Sequence, residues 1–332
     1  MSKLRLHKRL WGFSIGAGLL GALALGVRYA IKPPTKSRVP DTISPAIFAT
    51  KSFSTSRGEM VFHESGLGNP LIFLHGIYVG ACSYEWSRVY PAFAANHHVM
   101  APDLIGFGES ERPSKPFTSE DFVRSIADFI HAKCPDRPPI IVASGLSAAL
   151  ATLLATQHPE LVSRLILVMP SGMQDDSKQE ISVGLGLISR LPLLNHLYYR
   201  NYLSARPSVR AWLETVGFAD AALVDDETVE VFTTCAQQYR AENAIFNFLR
   251  RQLNVNLESR FAEVTQPVTL IWSDRVTSPP VELAYRLQES KPNRCHLIIL
   301  KNLGLLVALE APQLIKETLA SELDSGIRIV SA

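Results

Sequence analysis

The sequence predicts an α/β domain built on a mostly parallel sheet, carried behind an apolar N-terminal segment and interrupted in its second half by a helical insertion. Two patterns predict it. First, short and largely apolar runs recur at Leu71-Ile72-Phe73-Leu74, His98-Val99-Met100-Ala101, Ile140-Ile141-Val142-Ala143, Leu165-Ile166-Leu167-Val168, Val268-Thr269-Leu270-Ile271-Trp272 and Leu297-Ile298-Ile299-Leu300. Strands apolar on both faces and separated by helical segments belong to a parallel sheet covered on both sides. Second, the alternation stops between Ser171 and Arg260, where only helical periodicity remains. An insertion there falls over the C-terminal edge of the sheet, where ligand crevices form.

Each element has a local reason. Thr118 followed by Asp121 is a Ser/Thr-x-x-acid cap and starts a helix that runs to about Cys134. The insertion carries Leu191, Leu193, Leu194, Tyr198, Tyr199, Trp212, Phe232, Phe246 and Phe248, large side chains expected chiefly to pack the insertion onto the core. The chain divides into a basic segment at 1–9, an apolar segment at 10–27, a tether at 28–47, the first half of the core at 48–170, a helical cap at 171–260, the second half of the core at 261–324 and a tail at 325–332.

Lys3, Arg5, Lys8 and Arg9 precede an uncharged stretch from Leu10 to Val27 that Arg28 closes. As a helix that stretch is about 27 Å long, enough to cross the hydrocarbon core. It predicts a single-pass membrane anchor. The alternative is a secretory signal peptide cut near Ala22-Leu23-Ala24. Arg28, Lys32, Lys36 and Arg38 balance the basic residues ahead of the segment, so charge leaves the side of the membrane open. Pro33, Pro34, Pro40 and Pro45 make 28–47 an extended tether.

With 47% hydrophobic and 19% charged residues, the chain can bury a sizeable core, which excludes wholesale disorder. A net charge of +2 without a concentrated basic face excludes nucleic acid as a partner. Cys82, Cys134, Cys235 and Cys295 lie far apart in no metal-ligand spacing and read as small core hydrophobes. No metal or cofactor is expected.

The motifs point to one family. Leu74-His75-Gly76 ends a strand, and Ala101-Pro102-Asp103-Leu104-Ile105-Gly106-Phe107-Gly108-Glu109-Ser110 follows the next. Then come the turn Ala143-Ser144-Gly145-Leu146-Ser147, the stretch His158-Pro159-Glu160, and near the end Asn302-Leu303-Gly304 with Glu310-Ala311-Pro312. In this order they resemble the α/β-hydrolase superfamily over about residues 59–322, and within it the capped members related to haloalkane dehalogenases, epoxide hydrolases and carbon–carbon bond hydrolases. The resemblance implies a nucleophile on a strained Gly-x-Ser-x-Gly elbow, an acid after a later strand and a histidine after the last one.

Carried over position by position, the resemblance places Gly145 where the nucleophile belongs, Val276 where the acid belongs and Leu305 where the base belongs. Landmarks flank each position, so one register slip does not account for all three. The backbone N–H groups of Ile77 and Leu146 take the oxyanion-hole positions. His75 and Gly76 belong to the oxyanion loop, with a structural hydrogen-bonding role implied for His75. His75, Gly76 and Ser144 are the motif residues expected to line the crevice, with strand alternation turning the Ser144 side chain away from it and helix direction doing the same for Ser147. Asp274 is expected to fix its loop against Arg275, and His196 to be an isolated cap histidine.

The resulting expectation is a membrane-tethered protein without Ser-His-Asp chemistry that binds an apolar small molecule or a protein partner. The alternative is a hydrolase or lyase acting on a hydrophobic, lipid-like substrate through non-standard residues.

Overall fold

A computed structural model describes residues 48–172, 192–250 and 252–324. Eight strands form one sheet in the order β1-β2-β4-β3-β5-β6-β7-β8. They are β1 Ala49–Thr55, β2 Gly58–Ser65, β3 Asn69–Leu74, β4 His97–Pro102, β5 Ile140–Ser144, β6 Arg164–Val168, β7 Val268–Ser273 and β8 Cys295–Leu300. β1 pairs antiparallel with β2, and β2 with β4. Every pairing from β4 through β8 is parallel. Each apolar run of the sequence is one of these strands.

The first two strands carry no such signal, for a physical reason. β1 is almost wholly exposed and offers no hydrophobic face. β2 buries Met60 and Phe62 but then places His63 and Glu64, which breaks an apolar run. β8 also departs from the two-sided expectation. It is the far edge strand, and its middle residues are only half-buried.

Helix α1, Ser119–Lys133, starts on the expected capping box. The Thr118 side chain accepts from the Asp121 N–H and the Asp121 side chain accepts from the Thr118 N–H. Helix α2, Gly145–Gln157, follows β5 without a loop and is buried almost all round.

Between β6 and β7 the described residues are helical: α3 Pro192–Tyr198, α4 Arg206–Trp212, α5 Asp226–Ala236, α6 Ala241–Leu249 and α7 Leu257–Glu263, joined by short turns. α7 packs on α2. Of the large cap residues, Tyr199, Phe232 and Phe246 are buried, whereas Leu194 is exposed. Helices α8 Val281–Ser290, α9 Val307–Glu310 and α10 Pro312–Asp324 complete the fold.

A second hydrophobic cluster ties cap to core by joining Cys82 and Tyr84 to Leu213, Phe218 and Phe232 and to Leu306 and Leu309. Arg88 adds a polar tie. It donates to the Leu309 carbonyl at 3.1 Å and pairs at 2.5 Å with Asp225, the residue that caps α5. All four cysteines are free and buried, as small core hydrophobes are. The segment 10–27 lies outside the described residues. Among the described residues no helix is long and apolar enough to cross a membrane.

Candidate functional site

The site gathers where β3 and β5 end. Gly145 joins β5 to α2 with φ +54°, a left-handed conformation that strains any residue with a Cβ. Space is not the constraint. A Cβ built on Gly145 would have Ser171 Oγ at 3.9 Å and the Gly76 Cα at 4.0 Å as its nearest neighbours. The Ser171 N–H donates to the Gly145 carbonyl at 3.0 Å, which closes the turn from the β6 side.

Beside the turn lies the oxyanion loop. His75 is fully buried and acts as a two-way brace. The Leu104 N–H donates to its Nε2 at 3.0 Å, and its Nδ1 lies 2.7 Å from the Gly76 carbonyl. With Nε2 accepting, Nδ1 carries the proton and donates. The implied structural role fits these contacts. Ile77 and Leu146 are buried, and among the described residues neither N–H is taken up by a turn or loop carbonyl. Leu146 also stands in the first turn of α2, where N–H groups have no partner within the helix.

Sequence reasoning missed the residue that wires these parts together. Glu85 is buried and accepts three hydrogen bonds, from the Gly76 N–H at 2.7 Å, the Tyr78 hydroxyl and the Ser144 hydroxyl. Burial pushes its carboxyl pKa up, and the three donors pull it the other way. The Ser144 side chain thus points into a buried carboxylate. The Tyr78 ring stacks against Trp212 at 5.0 Å and Phe232 at 5.7 Å between centroids, so the same loop also grips the cap. The signal available in the sequence was a lone acid in the otherwise uncharged Cys82-Ser83-Tyr84-Glu85-Trp86. Its partners lie as far as 59 positions away, so no local pattern reveals them.

The opposite side of the site is apolar. Val276, after β7, and Leu305, after β8, are half-buried and packed on the main core. Backbone bonds fasten the Leu305 loop to the cap, from the Leu305 N–H to the Val216 carbonyl at 3.2 Å and from the Leu306 N–H to the Gly217 carbonyl at 2.7 Å. Gly304 allows the approach, since a Cβ there would sit 2.4 Å from the Gly217 oxygen. Glu310 completes the clamp by accepting from the Gly304, Ala219 and Asp220 N–H groups at 2.6, 2.8 and 3.0 Å.

Two side-chain assignments need correction. Asp274 does fix its loop, but through the Asn302 N–H at 2.9 Å and Lys301 at 3.2 Å instead of Arg275. The long Lys301 side chain follows β8 and reaches across the strand ends. His196 is not isolated, because the packing of α3 against α6 sets its Nδ1 2.9 Å from Glu242. Ser147 is fully buried in α2.

A central parallel sheet, a strand-to-helix elbow with a left-handed residue and a loop of paired N–H donors define an α/β-hydrolase-type protein. The chain belongs to the alpha/beta hydrolase family, whose model matches residues 71–318. It is 27% identical over 253 residues to the uncharacterized hydrolase YugF of Bacillus subtilis (strain 168), covering 75% of this chain and 88% of that one. It is 28% identical over 233 residues to the 2-hydroxy-6-oxo-6-(2'-aminophenyl)hexa-2,4-dienoic acid hydrolase of Metapseudomonas resinovorans, covering 69% and 75%. Among solved structures, a serine hydrolase involved in carbazole degradation superposes with a TM-score of 0.69 at 23% identity, over 83% of this chain and 99% of that one. A membrane phospholipase A superposes with a TM-score of 0.69 at 23% identity, over 94% and 97%. At these identities the two structures speak for the fold.

Proposed function

We propose that this member of the hydrolase family holds a hydrophobic molecule by a carbonyl or carboxylate group and does not cleave it by Ser-His-Asp chemistry. The observation that carries this is Gly145, a residue without a side chain at the left-handed elbow between β5 and α2. A nucleophile in this fold stands on that elbow, and none stands here. Val276 and Leu305, in the loops after β7 and β8, offer no proton acceptor. The Ile77 and Leu146 N–H groups, backed by the start of α2, remain suited to an oxygen bearing negative charge. Apolar residues such as Val276 and Leu305 beside a few polar donors would favour binding over cleavage. The 10–27 segment would tether this pocket to a membrane, a natural source of such ligands. The test is displacement of a fluorescent long-chain carboxylate from the full-length protein. Saturable binding without turnover of the matching ester is expected. Turnover of that ester would oppose the proposal.

A second reading rests on Glu85. The Ser144 hydroxyl donates to this buried carboxylate, so Ser144 as nucleophile and Glu85 as base would make a hydrolase with shifted chemistry for a lipid-like substrate. Loss of ester turnover in Ser144→Ala, with binding retained, would favour it.

A further inference from the structure

Away from the elbow, on the hairpin side of the sheet, His63, Asp103 and Glu109 bring one ligand atom each to within 4.8 Å of one another. No motif in the sequence joins them. His63 lies on β2, where Thr50 of β1 and Ala101 of β4 flank it in register. Asp103 follows β4, and Glu109 lies on the loop beyond.

The histidine is the unusual member. It is 1% exposed, and its Nε2 is buried with no hydrogen-bond partner. Its Nδ1 lies 3.0 Å from Thr50 Oγ1. In the tautomer where Nδ1–H donates to that hydroxyl, Nε2 carries a lone pair that can bind a cation. This is how an outer partner fixes the tautomer of a metal-binding imidazole. Asp103 is equally fixed, since its Oδ1 accepts the Ser83 N–H and its Oδ2 the Glu109 N–H, both at 2.7 Å. The Ser110 hydroxyl donates to the Asp103 carbonyl at 2.6 Å. Two ligands are thus held by the sheet and its loop, and the third, Glu109, is exposed. A buried imidazole nitrogen without a hydrogen-bond partner is unfavourable. A divalent cation removes that cost.

We infer that His63, Asp103 and Glu109 form a structural site for a divalent cation of the zinc class. One nitrogen and two carboxylate oxygens suit zinc, and solvent on the Glu109 side supplies a fourth position. Bonds of about 2.0–2.2 Å require the ligand atoms to close in from their present spacing when the cation binds. The site would stiffen the 103–111 loop. The Leu104 N–H of that loop holds His75, so the cation would brace the oxyanion loop from behind.

The test is calorimetric titration of chelator-treated, full-length protein with Zn2+, paired with thermal melting. One equivalent should bind and raise the melting temperature. His63→Gln should weaken binding at least about tenfold, the lower end of the loss seen when even an outer-shell partner is removed. Glu109→Gln, an exposed change that leaves the buried packing intact, should do the same, so the test survives if the His63 variant fails to fold. No uptake by the wild type, or uptake that Glu109→Gln leaves unchanged, would overturn the inference.

Discussion

The two flanks of the elbow have parted chemically. On the β3–β5 side a charged and hydroxylic network survives under the oxyanion loop, with Glu85 joining Gly76, Tyr78 and Ser144 and His75 joining Gly76 to Leu104. On the β7–β8 side Val276 and Leu305 are apolar, and the loop is held by backbone bonds to Val216 and Gly217. In the proposed reading the first flank holds an oxygen and the second offers no proton acceptor at Val276 or Leu305, its loop serving to attach the cap. Oxyanion donors and proton-transfer groups are separable parts of such a site, and the proposal assigns only the first part to this chain.

The largest effect should come from breaking the polar flank. Glu85→Ala leaves the Gly76 N–H and the Tyr78 and Ser144 hydroxyls without their acceptor. At about 1–3 kcal/mol for each buried unsatisfied group, stability should fall by roughly 3–6 kcal/mol in denaturant unfolding. A loss below about 1 kcal/mol would show that the network is incidental. On the other flank, Glu310→Ala should be milder. Two of its N–H partners, Ala219 and Asp220, lie at the accessible edge of the cap, where water replaces a lost acceptor, and only Gly304 is buried, so about 1–2 kcal/mol is expected. Its signature should be faster proteolysis within the cap. An unchanged cleavage pattern would argue that Glu310 does not hold the cap.

Titration separates the flanks in another way. A carboxyl whose folded-state pKa is raised binds its proton more tightly in the native state. It therefore adds stability at low pH that is lost as pH rises from the ordinary carboxylate value through the raised one. Burial raises Glu85 in this sense, so the wild type should lose stability across that window and Glu85→Gln should lose less. The same slope in both proteins would place the titration elsewhere. The smallest effect is expected at the elbow. For Gly145→Ser the added Cβ meets no neighbour closer than 3.9 Å, so the strain of φ +54° dominates, about 1 kcal/mol in chemical unfolding. A stabilised mutant would contradict the role of that turn.

What was legible in the sequence follows the same divide between local and distant causes. β3 to β7 and α1 were readable because burial on both faces and a capping box leave marks within a few residues, and the edge strand β8 was readable from its apolar run alone. β1 and β2 were not, because an exposed hairpin needs little hydrophobicity once β4 supplies its partner. The flanking landmarks did place Gly145 on a tight strand-to-helix turn and Val276 and Leu305 in the loops after β7 and β8. Glu85, Ser144 and Tyr78 could not be grouped, nor could His63 with Asp103, because each set is assembled only when separate strands align.

The central claim is tested most directly by reacting the purified full-length protein with a serine-directed fluorophosphonate and assaying a panel of esters. With no nucleophile on the elbow, the account predicts no covalent labelling and no ester turnover above background. The Gly145→Ser, Val276→Asp, Leu305→His triple variant is the one in which labelling could return, since triad members act as a unit. Labelling or turnover by the wild type would contradict the account. If it vanished in Ser144→Ala it would assign the chemistry to the Ser144–Glu85 pair, and if it persisted it would reveal a mechanism outside the elbow.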